Sequence, residues 1–334
     1  MSPLPQNKFW TFFLLCCILT FTTLLFSYTF TDPPFHFLKY ASRISGSFFS
    51  KDICACDSCM ADVGDDAWLA DHFNLSILPL MTRDSSALSE DTYRWWQWLQ
   101  REENPANYTQ VVEELFRLIP EEGGFMDASP QRCRTCSVVG NSGNLKGSNY
   151  GALIDTSDLV IRMNKAPTKG FEKDVGAKTT HHVMYPESAV DLSNTTSLVL
   201  VPFKTLDLQW IISALTTGTI RGTYMPVKSW IKANKNKVVV INPRFIKYVY
   251  ESWLEGRGHY PSTGFLTLMF ALHICDEVSV FGFGADQHGN WHHYWEHNQL
   301  AGAFRHTGVH DGDYEYNLTL TLADKHKIQM FRGR

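Results

Sequence analysis

Six of the chain's 13 histidines, His288, His292, His293, His297, His306 and His310, crowd into 23 residues near its C-terminal end. Imidazole titrates near neutrality, and a loop-like stretch rich in Gly and Trp is where a sheet scaffold carries catalytic groups. The spacing admits more than one chemistry. His288 and His292, like His293 and His297, stand four apart, as zinc ligands on one helix face would, but no His-Glu-x-x-His motif accompanies them. The bland alternative is a set of solvated loop histidines with one or two satisfied in the core. Just beyond, Asp311-Gly312-Asp313 has the Asp-x-Asp form that holds a divalent ion in many nucleotide-sugar enzymes, although so short a pattern is common by chance. Two glycine-bearing turns add a different kind of chemistry. Gly140-Asn141-Ser142-Gly143-Asn144 follows an apolar run and would let backbone N–H groups approach a phosphate or sugar. In Tyr260-Pro261-Ser262-Thr263-Gly264, Ser262 or Thr263 can cap a helix whose first N–H groups favour an anion. Each has a plain structural reading, a tight turn and a ligand-free cap.

These groups need a scaffold, and the hydrophobic pattern supplies one. From Cys136 onward, apolar runs at 137–139, 159–161, 182–184, 198–201, 238–241, 278–281 and 328–331 read as strands, with helices over 208–215, 243–254 and 262–275 between them. Continuous apolar strands alternating with helices imply a largely parallel sheet covered on both faces, whose ligands bind at the carboxyl ends of the strands. Before the sheet lie two helices rich in aromatics. One near 87–102 places Leu88, Trp95, Trp96 and Leu99 at helical spacing, and one near 109–119 repeats Val112, Leu115, Phe116 and Ile119 before Pro120. Their apolar faces mean core packing.

The chain of 334 residues is long enough for one large domain or two small ones. Its 30 Lys+Arg against 34 Asp+Glu, with 44% apolar residues, disfavour both disorder and a generic nucleic-acid surface. Residues 9–30 carry no charge and as a helix would rise about 33 Å, enough to cross a bilayer core of roughly 30 Å. We read residues 1–8 as a cytosolic tail, 9–30 as an uncleaved transmembrane signal-anchor, 31–54 as a stem and 55–334 as a lumenal catalytic domain. Lys8 before the span and Asp32 after it favour a cytosolic N-terminus. Sequons at Asn74, Asn107, Asn194 and Asn317 agree with a lumenal location. So do six cysteines beyond the span, Cys54, Cys56, Cys59, Cys133, Cys136 and Cys275, an even number suited to three disulfides. The alternative is a zinc site, because Cys56-x-x-Cys59 and Cys133-x-x-Cys136 are spaced like its two halves.

Four segments taken together resemble the motifs of the animal sialyltransferases. Cys133 to Asn144 with Arg162 to Pro167 is similar to the family's large motif, and Tyr260 to Gly264 with Phe281 to Gly284 to its small one. His292-His293-Tyr294-Trp295 resembles the third motif, and His310 with Glu315 the very small one. All four stand in family order and span most of the chain from Cys133 onward. Their wording, with Tyr93-Arg94-Trp95-Trp96 and His181-His182, is most like the alpha-2,3 branch that acts on Gal-beta-1,3-GalNAc of mucin-type O-glycans.

The resemblance implies an α/β fold, a variant Rossmann-like (GT-A-like) glycosyltransferase with a largely parallel sheet, in a type II Golgi membrane protein that stem cleavage would release. It implies CMP-sialic acid as donor, an O-glycan acceptor on glycoprotein or glycolipid, an inverting displacement, no metal or other cofactor, and no nucleic acid. Residue by residue, His310 would be the base and His293 would stabilise the departing CMP phosphate. Asn141, Ser142 and Asn164 would hold CMP, and Ser262, Thr263 and Gly264 would surround the cytidine or phosphate. Tyr224, Tyr260 and Gly284 would complete the donor pocket, and Gln100, outside the four motifs, would touch the acceptor. Absence of a metal would leave Asp311 and Asp313 loop or structural roles. The same resemblance implies the pairs Cys136–Cys275, Cys54–Cys59 and Cys56–Cys133. Two other classes compete: a zinc-dependent lumenal hydrolase using the histidine cluster, and a glycan-binding protein that keeps the pocket without a base.

Overall fold

In the computed structural model the described residues are 20, 53–64, 66–121, 129–286, 288–297 and 308–334. Residues 53–334 form one compact unit. The expected tail, the membrane span apart from Thr20, and most of the stem lie outside the described residues, as does His306. Among the described residues no helix is long and apolar enough to cross a membrane.

Seven strands form a single sheet: β1 Thr135–Val139, β2 Leu159–Met163, β3 His181–Met184, β4 Ser197–Leu200, β5 Val238–Val240, β6 Glu277–Phe281 and β7 Gln329–Phe331. Their order is β5-β4-β3-β2-β1-β6-β7 and every pairing is parallel. Each apolar run read as a strand is one, with ends displaced by no more than two residues. The chain steps outward from β1 to β5, then returns to place β6 against the other side of β1. The order therefore reverses between β1 and β6, and that is where an open α/β sheet leaves a crevice at its carboxyl edge.

Among the described residues from 53 onward the α-helices are α1 Ala67–His72, α2 Glu90–Trp98, α3 Tyr108–Leu118, α4 Gly151–Ile154, α5 Glu172–Val175, α6 Thr205–Thr216, α7 Pro243–Tyr248, α8 Thr263–Ile274 and α9 Gly312–Asp324. Trp96 of α2 is fully buried and its indole N–H donates to Pro202 O at 2.8 Å, while Val112, Leu115 and Phe116 of α3 enter the same core. The expected helix over 243–254 is α7 followed by a π-turn at Val249–Trp253. In α8, residues 265–274 are all buried, which is why this segment is apolar all round rather than striped. Ser262 caps it, its Oγ accepting from Phe265 N at 3.1 Å. Helix α9 was not foreseen. It begins where Asp311 Oδ1 accepts from Tyr314 N at 3.1 Å, so this aspartate of the Asp-x-Asp pattern is a helix cap.

Three disulfides join Cys54 to Cys59, Cys56 to Cys133 and Cys136 to Cys275. The last ties the start of β1 to the C-cap of α8, across 139 residues of sequence. The pairing removes the zinc alternative for Cys56, Cys59, Cys133 and Cys136, because a sulfur committed to a disulfide is no thiolate ligand. The four sequon asparagines are all exposed, Asn107 as the N-cap of α3 and Asn317 on α9.

Candidate active site

Two loops meet at the sheet's reversal point. Gly140 N donates to Phe281 O at 2.8 Å, Ser142 N to Gly282 O at 3.1 Å, and the Asn144 amide to Phe283 O at 2.9 Å. Gly140 is required by this approach, since a Cβ there would stand 2.4 Å from Gly282 O. The histidine segment is laced onto the same loop: Gly143 N donates to His292 O at 2.7 Å and Tyr294 N to Asn141 O at 3.0 Å. Residues 288–297 are turns and isolated bridges, so the four-residue His spacings do not stack on a helix face. Among the described residues, the only clusters with metal-ligand spacing are built on the disulfide sulfurs.

The cleft over these loops encloses about 590 Å³. Asn141, Ser142, Asn164, Tyr224, Tyr260, Ser262, Thr263, Gly264, Gly284, His293 and His310 all line it, brought from the ends of β1 and β2, the loop after α6, the start of α8, the loop after β6 and the approach to α9. Gln100 does not line it. Its Oε1 accepts a hydrogen bond from the buried Lys204 Nζ instead. Tyr224 reaches the cleft from its rim and is 60% exposed.

His310 is held in the cleft wall by a backbone carbonyl. Its Nδ1 lies 2.8 Å from Tyr260 O, and a carbonyl only accepts, so Nδ1 carries the proton and Nε2 the basic lone pair. Burial holds its pKa below the ordinary imidazole value, against the opposing bond to Tyr260 O. His293 pairs through Nδ1 with Glu296 Oε1 at 2.7 Å and stacks on Trp295 with ring centroids 4.5 Å apart. That bond also holds the Glu296 carboxyl below its usual range.

Asn141 donates through its amide to Met163 O at 3.2 Å, and its Oδ1 is buried with no partner. Asn164 Oδ1 is likewise buried and unpartnered, on a backbone at φ +59°. That backbone is fixed from behind, since Asn164 N donates to Val183 O at 2.9 Å and the buried His182 Nε2 bonds Asn164 O. Arg162, in the same motif, is fully buried away from the cleft and bonds Val175 O and Lys178 O, a structural role.

Sequence reasoning passed over Tyr185, Tyr316 and Thr319, which also line the cleft, and gave His292, Phe283 and Glu315 a motif but no role in the pocket. Glu315 is fully enclosed; its carboxylate accepts from Ser262 N at 2.7 Å and from Ser262 Oγ, and burial pushes its pKa up to about 7. It thereby joins the base-bearing segment to the start of α8. No Lys or Arg is among the described lining residues. An anion in this cleft must therefore be met by backbone N–H groups, hydroxyls and imidazoles.

A family model described as glycosyltransferase family 29 (sialyltransferase) matches residues 80–327. A Mus musculus protein named CMP-N-acetylneuraminate-beta-galactosamide-alpha-2,3-sialyltransferase 1 is 52% identical, over 98% of each chain. The Rattus norvegicus protein of the same name numbered 2 is 55% identical over 84% of this chain and 80% of its own. The crystal structure of a mammalian sialyltransferase superposes with a TM-score of 0.79 at 52% identity, covering 84% of this chain and 99% of that one. A second, in complex with Gal-beta-1-3GalNAc-ortho-nitrophenol, superposes at 0.78 with the same identity, covering 84% of this chain and 100% of that one.

Proposed function

The chain belongs to glycosyltransferase family 29, the sialyltransferases, and from that premise we propose that it transfers sialic acid from CMP-sialic acid to O3 of galactose in Gal-beta-1,3-GalNAc. The observation that carries the reading is the convergence on one cleft of a histidine with a fixed basic nitrogen and two asparagines with unpartnered buried oxygens.

The donor's anomeric carbon is fully substituted and its leaving group is a phosphate, so the C–O bond breaks readily through an oxocarbenium-like transition state. The protein must remove a proton from the acceptor hydroxyl and relieve charge on the departing CMP. His310 takes that proton on Nε2, and its Nδ1–H bond to Tyr260 O becomes stronger as the ring charges. His293 donates to the departing phosphate, with Glu296 orienting the ring. The first turn of α8, at Thr263 and Gly264, offers N–H groups lacking intrahelical acceptors, suited to the same phosphate. Asn141 Oδ1 and Asn164 Oδ1 can only accept hydrogen bonds, which suits the ribose hydroxyls or cytosine amine rather than a phosphate. Attack and departure on opposite faces invert the anomeric centre, and no carboxylate nucleophile is required.

The reaction takes place in the Golgi lumen, with residues 9–30 as a type II signal-anchor and the exposed Asn74, Asn107, Asn194 and Asn317 as N-glycan acceptors. Release of CMP from CMP-sialic acid, measured with Gal-beta-1,3-GalNAc and Gal-beta-1,4-GlcNAc with and without EDTA, tests the reading. Turnover favouring the first acceptor and insensitive to chelation is expected. Loss of activity in EDTA would restore the metal-dependent alternative, and no transfer to either acceptor would leave a binding protein.

A further inference from the structure

Away from the cleft, a groove of about 710 Å³ runs between the segment before α2, α2 itself and the start of α3. Its volume falls in the range of about 300–1,000 Å³ that holds a small ligand. None of its described lining residues belongs to the four motifs. Leu88, Tyr93 and Tyr108 are half-buried in its wall. The polar ends of both tyrosines are committed within the protein, Tyr108 donating to Ser86 O at 2.8 Å and Tyr93 accepting from Gln97 Nε2 at 2.6 Å. The rings therefore offer the groove hydrocarbon surface. Exposed Arg83, Glu90 and Glu113 edge it with hydrogen-bonding groups. Aromatic surface rimmed by donors and acceptors suits a pyranose, which has a C–H face and a hydroxyl-bearing rim.

Asn107 stands in the wall of this groove and is the asparagine of the sequon Asn107-Tyr108-Thr109. It also caps α3, its Oδ1 accepting from Gln110 N at 3.1 Å. A backbone N–H only donates, so the amide oxygen faces the helix and Nδ2 lies on the other edge of the planar amide. N-glycosylation bonds Nδ2 to C1 of N-acetylglucosamine and leaves Oδ1 free to accept, so one residue can carry both the cap and the sugar. A sugar tethered in the groove wall meets that surface at high effective concentration. Asn194 and Asn317, exposed in other sequons, line neither this groove nor the cleft.

We propose that this groove is the seat of the protein's own N-glycan: the first N-acetylglucosamine on Asn107 packs against Tyr93 and Tyr108, the ring pair 5.6 Å apart through which α2 meets α3. The proposal rests on the N-glycan reading of the sequons above and gives one of those glycans a structural task.

The test uses the full-length protein from cells that make only high-mannose glycans, purified in detergent, with glycopeptide mass spectrometry to read occupancy. Asn107→Asp keeps the helix cap, since a carboxylate accepts from Gln110 N and suits a helix N-terminus. Any loss therefore belongs to the sugar. Its Tm is expected to fall by about 2 °C or more, whereas Asn194→Asp and Asn317→Gln should stay within the small spread of surface substitutions. Trimming every glycan of the wild type to a single N-acetylglucosamine with endoglycosidase H should leave Tm unchanged. On the folded protein, peptide N-glycosidase should release the glycans of Asn194 and Asn317 about tenfold faster than that of Asn107, whose linkage is covered until the groove opens.

An unchanged Tm in Asn107→Asp overturns the proposal, as do equal losses in all three variants, a fall in Tm on trimming to one sugar, or equal release rates. If Asn107→Asp is not produced, the trimming and release measurements on the wild type decide. An unmodified Asn107 in the wild type would instead overturn the N-glycan reading at that site, and mass spectrometry distinguishes this result from the others.

Discussion

Replacing His310 separates binding from chemistry. His310→Ala removes the proposed base, one hydrogen bond to Tyr260 O and an edge-to-face contact with the Tyr260 ring. The bond contributes about 1 kcal/mol and the aromatic contact about 1 kcal/mol, so folding stability falls by roughly 2 kcal/mol and Tm by several degrees. General-base assistance supplies about 10²- to 10⁴-fold, so kcat should fall by at least 10² while the Kd for CMP, read by calorimetry, changes by less than about threefold. His310→Gln sharpens the comparison, because its amide N–H can still donate to Tyr260 O while it has no basic nitrogen. Its Tm should recover most of the loss and its kcat should not. The wild-type rate should also show an acid limb with an apparent pKa below the ordinary imidazole value, since burial disfavours the charged ring, and this limb should vanish in His310→Gln. Turnover within tenfold of wild type in either variant, or an acid limb that persists in His310→Gln, would refute the assignment.

Further outcomes follow from the packing around the cleft. In Gly140→Ala the new Cβ meets Gly282 O at 2.4 Å and Phe283 at 2.9 Å; overpacking two backbones should cost about 2 kcal/mol or more and weaken CMP binding, read by denaturant titration and calorimetry. Removing both Cys136 and Cys275 should lower stability by about 2–5 kcal/mol, because the bridge closes a long loop; an unchanged denaturation midpoint would contradict this. Glu315 has a folded pKa raised to about 7 by burial, so its contribution to stability is complete below its unfolded value and is lost as pH rises through 7. Relative to Glu315→Gln, the wild type should therefore lose about 2 kcal/mol between pH 5 and pH 8. Taking the difference cancels the other buried groups, such as Asp207, raised to about 6, and His181 and His273, lowered to about 4.

The sheet was legible because its central strands are buried on both faces and so appear as nearly continuous apolar runs; the parallel arrangement followed from the helices between them. Helix α9 was hidden by composition. Leu318-Thr319-Leu320-Thr321-Leu322 alternates like a strand, and the helical logic shows only in the burial of Glu315, Leu318, Thr319 and Leu322 beneath the Asp311 cap. The cleft residues inside the four motifs could be read because each lies within a short stretch of chain, at a strand end, in the loop after β6 or at a helix start. Gln100 illustrates what could not be read. Its side chain is held by Lys204, 104 residues away, and no local pattern marks that contact. Arg162 shows the reverse, a motif residue whose charge is spent on holding the loop after α5.

The central claim concerns one new bond. Product made from CMP-sialic acid and Gal-beta-1,3-GalNAc can be read directly by a long-range carbon–proton NMR correlation across the glycosidic oxygen. The account predicts a correlation between C2 of sialic acid and H3 of galactose, with the sialoside in the inverted, alpha configuration. A correlation to H6 of galactose or of GalNAc, or retention at C2, would contradict it.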